Sequence, residues 1–245
     1  MFIVGGEALI AVDSADFDGT NDYMTRGGAL TNIADSKSGI FSAWIRIDGG
    51  DGTQRIVAST DNSTFILFLQ TNNKFEFFCR NAASTIIMQF NSTTAYAASA
   101  TWLHVLASWD LAVAGSGRLY VNDVSDYTET TYTDDTINYD GATDWSIGAS
   151  TIGGNKTSAC LSEYYFAPGQ DSDFSVIANR RNFISIGGKP VYLGADGSVP
   201  TGTAPTVYQR VADGAAVATF ATNLGTGGDF SITGTLETGS TSPSD

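Results

Sequence analysis

The sequence predicts an all-β protein, an antiparallel β-sandwich with jelly-roll or Greek-key connections. The strongest observation is a hairpin pattern in residues 102–124, where an alternating apolar run and a second apolar run flank a small-residue loop. Similar runs recur about every 8–12 residues with turn sequences between them, which is the spacing typical of a sandwich. Only 16% of the residues are charged, and Thr, Ser, Asn and Gly fill the polar positions, as suits strands and turns.

The elements follow in chain order. Phe17 opens the sandwich, after one or two short strands in residues 2–12. Further strands are predicted at 40–47, 55–59, 64–70, 74–80, 84–90, 102–110, 118–124, 127–132, 145–148 and 159–167. The pairs Asn72-Asn73 and Asn122-Asp123 mark tight turns, because Asn and Asp tolerate a left-handed backbone.

Alternation within the strands predicts which side chains form the core. In the run 102–110, Leu103, Val105, Ala107 and Trp109 face one way and Trp102, His104, Leu106 and Ser108 the other. Both sets contain apolar residues, so this strand is predicted to be buried on both faces. The predicted core comprises Trp102, Trp109, Trp145, Ile45, Val105 and Leu119.

The character of the chain changes after Pro168-Gly169, which divides it into a sandwich (1–168) and a C-terminal extension (169–245). A short helix is predicted over 174–183, capped by Asp171 or Ser172 and ending near two arginines. Strand-like runs follow at 206–210, 216–220 and 230–236. The extension is too rich in Gly, Pro, Ser and Thr to build its own core. We therefore expect part of it to complete the sandwich edge and the rest to dock on a neighbouring subunit.

Charge and cysteine content limit the classes of partner. The net charge is −14, so nucleic acid is not an expected partner. No run approaches the ~20 apolar residues of a membrane helix, so no membrane partner is expected. Cys79 and Cys160 are expected to be reduced core residues, with a disulfide as the alternative.

Several phrases of the sequence resemble a known family in their order. They are FDGTNDYM at 17–24, FSAWIRID at 41–48, the 102–124 hairpin, DWSIGAS at 144–150 and LSEYYFAPG at 161–169. Together they resemble the concanavalin A-like lectin/glucanase superfamily, in its laminin-G-like branch. The resemblance covers roughly residues 10–168 and implies fold more than function.

The region 179–245 carries a second resemblance, in NRRNFISIGGKPVYLGADGSVPTGTAPTVY and FATNLGTGGDFSITGTL. These phrases are similar to laminin-G-like proteins of tailed bacteriophages. The resemblance implies a structural protein located in the virion, with identical subunits and other virion proteins as partners. The alternative is a glycan-binding module that attaches to a host surface.

The residues do not favour an enzyme. Glycanases that share this sandwich use two carboxylates on one strand, about 5 Å apart in a retaining mechanism. The chain has five glutamates, and none has a second glutamate nearby on the same strand face. A Ser-His-Asp set from Ser108, His104 and Asp110 would lie along one strand, which cannot fold back on itself. No catalytic residues are therefore predicted.

Two kinds of binding site remain as hypotheses. The family resemblance implies a Ca²⁺ site, for which the candidate ligands are Asp18, Asp22 and Asp110; the alternative is that the first two cap turns. A glycan site would need aromatic rings near loops. Its candidates are Trp44, Tyr96, Tyr132 and Tyr139, although aromatic residues in sandwiches are more often core.

Overall fold

Two large antiparallel sheets face each other across one hydrophobic core, as the sequence predicts. The structure is a computed structural model and describes residues 2–4, 7–49, 55–61 and 64–245. The first sheet has eight strands in the order β14-β10-β9-β8-β7-β15-β5-β19, and the second has β13-β12-β11-β6-β16-β4-β20 with β17 also paired to β16. The strands are β1 (Phe2–Val4), β2 (Glu7–Leu9), β3 (Val12–Asp13), β4 (Ala15–Asp18), β5 (Tyr23–Arg26), β6 (Ser38–Ile47), β7 (Arg55–Thr60), β8 (Phe65–Leu69), β9 (Phe75–Arg80), β10 (Ile86–Asn91), β11 (Leu103–Asp110), β12 (Arg118–Val121), β13 (Val124–Ser125), β14 (Thr128–Tyr132), β15 (Trp145–Ile147), β16 (Ser158–Pro168), β17 (Val207–Gln209), β18 (Val211–Ala212), β19 (Ser231–Thr233) and β20 (Glu237–Thr238).

The alternation in the sequence correctly assigns the faces of the central strands. In β11, Val105 and Trp109 are fully buried between the sheets, whereas Leu106 is buried on the outer face of the second sheet. β12 leads into β13 through Asn122 and Asp123, with φ of 51° and 64°. Two consecutive left-handed residues form the hairpin turn that matches strand twist, and Asn and Asp tolerate that backbone.

Residues 169–245 are integrated into the sandwich. β19 pairs with β5 at the edge of the first sheet, and β20 pairs with β4 at the edge of the second. Phe230 and Leu236 join the core between the sheets. A second apolar cluster covers the outer face of the second sheet; it joins Ile40, Leu106, Tyr120, Tyr165 and Ala167 to Phe174, Phe183, Val191, Leu193 and Tyr208. The predicted boundary at residue 168 thus marks a change in sequence composition. The segments on its two sides contribute residues to the same two apolar clusters.

Two local predictions in this region are wrong. The helix α1 is confined to Ile177–Arg180, and neither Asp171 nor Ser172 caps it; the N-cap is Val176, with no side-chain hydrogen bond. The run 216–220 is a 3₁₀ helix (Val217–Ala221). Its i to i+3 bonds, such as Thr219 N–H to the Ala216 carbonyl, satisfy the backbone locally.

Glu163 lies at a buried bulge of β16 and ties this strand to the C-terminal region. The pairing of β16 with β6 shifts between Ser162 and Tyr165, and Glu163 has φ of 47°. Its Oε2 accepts a hydrogen bond of 2.8 Å from the Tyr208 hydroxyl, and its Oε1 lies 3.8 Å from Arg210 Nε. Burial raises the pKa of Glu163 to about 7, although Arg210 and Tyr208 act in the opposite direction.

Stability should therefore depend on pH through Glu163. The folded state holds this proton more tightly than the unfolded chain, so stability is expected to fall as pH rises from 4.5 through about 7. Each unit of pKa shift corresponds to about 1.4 kcal/mol, which makes the loss a few kcal/mol. In Glu163→Gln this loss between about pH 5 and about pH 8, followed by urea denaturation, should largely disappear. An unchanged pH dependence in Glu163→Gln would show that other groups cause it.

Candidate functional site

A pocket opens on the outer face of the second sheet, beside the apolar cluster that covers the rest of that face. Its volume is about 500 Å³, within the range of ~300–1,000 Å³ usual for small-molecule sites. Its lining consists of Trp44, Trp102, Asn122, Asp123, Ile184, Ser185, Ile186, Gly188, Lys189, Ser242, Pro243 and Asp245. We call it the Trp44–Trp102 pocket.

Trp44 projects from the middle of β6 and is held from behind by His104. Their ring centroids are 4.8 Å apart, because these residues are direct partners in the β6–β11 ladder. His104 Nε2 is 2.9 Å from Ser42 Oγ, and burial lowers the pKa of His104 to about 3. The imidazole is therefore neutral at physiological pH and serves as a rigid support for the Trp44 ring.

Trp102 forms the more accessible aromatic surface of the pocket. It precedes β11 and is half-buried, so its predicted place in the core is wrong. Its indole Nε1 donates a 3.2 Å hydrogen bond to Thr241 Oγ1, and the Arg46 guanidinium lies 5.8 Å from its ring centroid. Alternation along the strand places Trp102 on the face opposite Trp109. This pattern alone indicates that Trp102 lies outside the core between the sheets.

The β12–β13 turn supplies one polar wall. Asn122 Oδ1 accepts the His104 backbone N–H at 2.7 Å, which fixes its side chain. Asp123 accepts hydrogen bonds of 2.5 Å from Arg180 Nε and from Arg181 Nη2. Partial burial opposes ionisation, but these two arginines hold the pKa of Asp123 below its ordinary value. The wall is thus rigid and its carboxylate charge is compensated.

The opposite wall comes from residues 184–189 and 242–245. Lys189 Nζ donates to the Asp245 backbone carbonyl, and Asp245 Oδ2 accepts the Ser242 N–H at 2.7 Å. The pocket thus combines indole surfaces with amide, hydroxyl and ammonium groups. Apolar rings stack on the C–H face of a sugar, and such polar groups bind its hydroxyls, so this lining suits a carbohydrate.

The four predicted glycan residues have different surroundings. Trp44 lines the pocket with only 3% of its surface exposed, whereas Tyr139 is fully buried against Trp109 and does not reach solvent. The hydroxyl of Tyr96 donates to Asp126, and the hydroxyl of Tyr132 is bonded to Ser116 and to the Asp110 N–H. The structure therefore places Trp44 at the pocket and the three tyrosines elsewhere.

The three predicted calcium ligands do not meet. Asp18 pairs with Ser158 near the Ile47 end of β6, whereas Asp110 pairs with Ser38 at its other end. At about 3.3 Å per residue, the nine steps of β6 put Asp110 roughly 30 Å from that end. The shared three-residue site is therefore wrong.

Asp18 and Asp22 are close together but are engaged with backbone amides. Asp18 Oδ1 accepts the N–H groups of Thr20 and Asn21, at 2.7 and 3.0 Å, and Asp22 Oδ1 accepts the Thr235 N–H at 2.7 Å. Amide donors bind one oxygen of each carboxylate, so the pair matches the turn-capping alternative. Calcium binding by the protein stays a prediction.

Another group of potential ligands, Asp16, Asp48 and Cys160, encloses a basic side chain. Arg46 Nε donates to Asp48 Oδ1 at 2.8 Å, and Arg46 Nη2 is 3.2 Å from Cys160 Sγ. The Arg46 guanidinium thus already provides the positive charge that a metal ion would bring to these ligands.

Cys79 and Cys160 are both buried and free, as expected.

Glu76 and Glu163 lie in different sheets. Glu76 is on the outer face of the first sheet and accepts hydrogen bonds from Gln70 and Gln89, while Glu163 is bound to Tyr208 in the second. These two glutamates do not form a catalytic pair.

Among the described residues, no helix is long and apolar enough to cross a bilayer.

The two antiparallel sheets that face each other define the class of the protein, an antiparallel β-sandwich. Residues 18–167, more than half of the chain, match the profile of the concanavalin A-like lectin/glucanases superfamily. The chain belongs to this superfamily. No curated protein matches the sequence.

The comparison with solved structures finds a protein of the same fold. A candidate carbohydrate-binding protein from Bacteroides ovatus superposes with a TM-score of 0.64 at 15% identity, covering 95% of this chain and 61% of that protein. A SAP-like pentraxin from Limulus polyphemus gives 0.49 at 13% identity, covering 69% and 82%. Domains LG4-5 of the mouse laminin alpha1 chain give 0.46 at 15% identity, covering 67% and 43%. At these identities the likeness concerns the fold alone.

Proposed function

We propose that the protein is a non-enzymatic carbohydrate-binding module and that the Trp44–Trp102 pocket is its sugar site. The observation that carries this proposal is the pocket itself, where Trp102 offers a half-buried indole beside fixed polar groups. The superfamily and the Bacteroides ovatus structure support it.

The fixed side chains of the pocket and its compensated carboxylate favour a ligand with an uncharged surface. Trp44 and the Asn122–Asp123 turn are held by His104, Arg180 and Arg181. Binding therefore costs little ordering of these side chains, and preorganised sites gain affinity for that reason. The Asp123 charge is compensated by arginines, so it does not demand a cationic partner.

Trp102→Ala should lower sugar affinity about tenfold or more, because truncation removes a stacking surface worth roughly 1.4 kcal/mol or more. A glycan array would first identify binding sugars, and calorimetry would then compare wild type with Trp102→Ala. Tyr192→Ala is the matched control, since Tyr192 is 38% exposed and does not line the pocket. Absence of binding to every glycan on the array, or equal affinities of wild type and Trp102→Ala, would contradict the proposal.

A structural role in a bacteriophage virion is the second candidate. It is supported by the resemblance of residues 179–245, which in the fold cover the outer face of the second sheet and complete both sheet edges. Identical subunits and other virion proteins would be the partners, and host-surface glycan binding is compatible with this location. Light scattering of the intact chain measures self-association directly.

A further inference from the structure

Residues 239–245, which we call the strap, cross the outer face of the second sheet between two cavities. Ser242, Pro243 and Asp245 line the Trp44–Trp102 pocket. Ser240 and Thr241 line a second cavity of about 420 Å³; the other residues around it are Arg46, Ile47, Asp48, Ala98, Ser99 and Ala100. The strap therefore lines both cavities through neighbouring residues, Thr241 on one and Ser242 on the other.

The strap presents hydroxyl groups to the floor of both cavities. Thr241 Oγ1 accepts hydrogen bonds from Arg46 Nη1 at 2.5 Å and from Trp102 Nε1 at 3.2 Å, and Ser240 Oγ accepts one from Arg46 Nη1 at 3.2 Å. An arginine N–H and an indole N–H are donors only, so any replacement for the strap must supply acceptors. The hydroxyls of a sugar supply them at the same place.

The remaining anchors of the strap are also mostly polar. Gly239 N–H bonds to the Ser14 carbonyl at 3.0 Å, Ser14 Oγ donates to the Thr241 carbonyl at 2.9 Å, and Ser244 Oγ donates to the Val12 carbonyl at 3.1 Å. Pro243 is the one apolar residue among the seven, and it is buried. Net hydrogen bonds contribute only about 1 kcal/mol each, because water or a ligand can replace the partner. Such a segment can be displaced more readily than one held by an apolar core.

We propose that the strap is a displaceable occupant of a longer groove and that a neutral oligosaccharide takes its place. When the strap lifts, the two cavities join over Trp44, Trp102 and Arg46, and sugar hydroxyls replace Ser240 and Thr241 as acceptors. This inference rests on the proposed sugar site. It adds that the site prefers longer oligosaccharides and that the strap regulates access to it. If a ligand binds only when the strap is open, the apparent affinity is the intrinsic affinity multiplied by the fraction of molecules with an open strap. Loosening the strap should therefore strengthen binding.

The test compares a disaccharide with a hexasaccharide of the same neutral sugar, chosen from the array, by calorimetry. Deletion of 239–245 is expected to raise the ratio of hexasaccharide to disaccharide affinity at least fivefold, because it opens the longer groove while removing Ser242, Pro243 and Asp245 from the wall of the pocket that holds the short ligand. Thr241→Val keeps the strap but removes the acceptor shared by Arg46 and Trp102, and should give a smaller rise of about twofold. Thr238→Val is the matched control, the same change at an exposed position of β20.

The outcomes separate this inference from the proposed function. If wild type binds sugar and Trp102→Ala does not, but the ratio of hexasaccharide to disaccharide affinity is unchanged or lower in both strap variants, the sugar site stands and the displaceable strap is refuted. An equal gain for both ligand lengths also refutes the longer groove. If no variant binds any glycan, both proposals fail. Should the deletion variant not fold, Thr241→Val decides the question.

Discussion

Trp109→Ala is expected to leave the protein unfolded or close to unfolding. Trp109 is fully buried in β11, its ring centroid is 5.1 Å from that of Phe77, and its Nε1 donates a 3.1 Å hydrogen bond to the Tyr139 hydroxyl. A Cβ on Gly39 would lie only 2.3 Å from the indole, so the backbone opposite is shaped around this ring. Truncation of such a residue costs ~3–5 kcal/mol, a large part of the ~5–15 kcal/mol that stabilises a typical domain.

Urea denaturation followed by circular dichroism measures this effect, with Trp102→Ala as the control. The same truncation at half-buried Trp102 should cost about 1 kcal/mol, because water already reaches its ring. A Trp109→Ala protein that unfolds at the same urea concentration as wild type would refute the central position of this residue.

The sequence predicts the sandwich well because strand faces are a local property. Alternation in residues 102–110 separates Val105 and Trp109 from His104 and Leu106, and the structure assigns them to the same two faces. The turn at Asn122-Asp123 is equally local, since it depends on the backbone tolerance of two adjacent residues. Neither prediction needs information about distant parts of the chain.

The candidate site was harder to predict because distant segments build it. Trp44, Trp102, Asn122 and Lys189 come from four separate stretches, and the strap adds residues almost 200 positions from Arg46. Alternation places Trp44 and Trp102 on the outer face of one sheet, but it does not show which segments cover that face. Trp44 was nevertheless among the predicted glycan residues, which were chosen as aromatic rings near loops, although the structure places it within β6.

The calcium prediction failed in its geometry for the same reason. Asp18 and Asp110 both end strands of one sheet, and the sequence does not give the register that puts them at opposite ends of β6.

The helix prediction failed because a local turn competes with the first turn of the helix. Asp173 Oδ1 accepts the Ser175 N–H at 2.9 Å, and its backbone carbonyl accepts the Val176 N–H at 3.2 Å. A turn therefore uses the residues that were expected to begin the helix, which starts only at Ile177.

Deletion of residues 225–245 is expected to destabilise the whole sandwich. The sequence predicts that part of residues 169–245 completes the sandwich edge and that the rest docks on a neighbouring subunit. In the structure, however, Phe230 and Leu236 are 7% and 6% exposed within the core between the sheets. The deletion also removes β19 and β20, together with the Thr235 N–H that bonds to Asp22 Oδ1 at 2.7 Å.

Loss of two buried apolar side chains costs about 2–5 kcal/mol each, which approaches the total stability of a typical domain. The uncovered edges of β4 and β5 would present free backbone groups, so aggregation should accompany unfolding. The measurement is thermal denaturation with light scattering of the truncated protein. The matched control is deletion of 239–245, which keeps β20, Phe230 and Leu236 and should lower the free energy of unfolding only modestly. If the longer truncation melts as cooperatively and at the same temperature as wild type, residues 225–245 contribute nothing to the core, and a docking role on a neighbouring subunit becomes the better explanation for this segment.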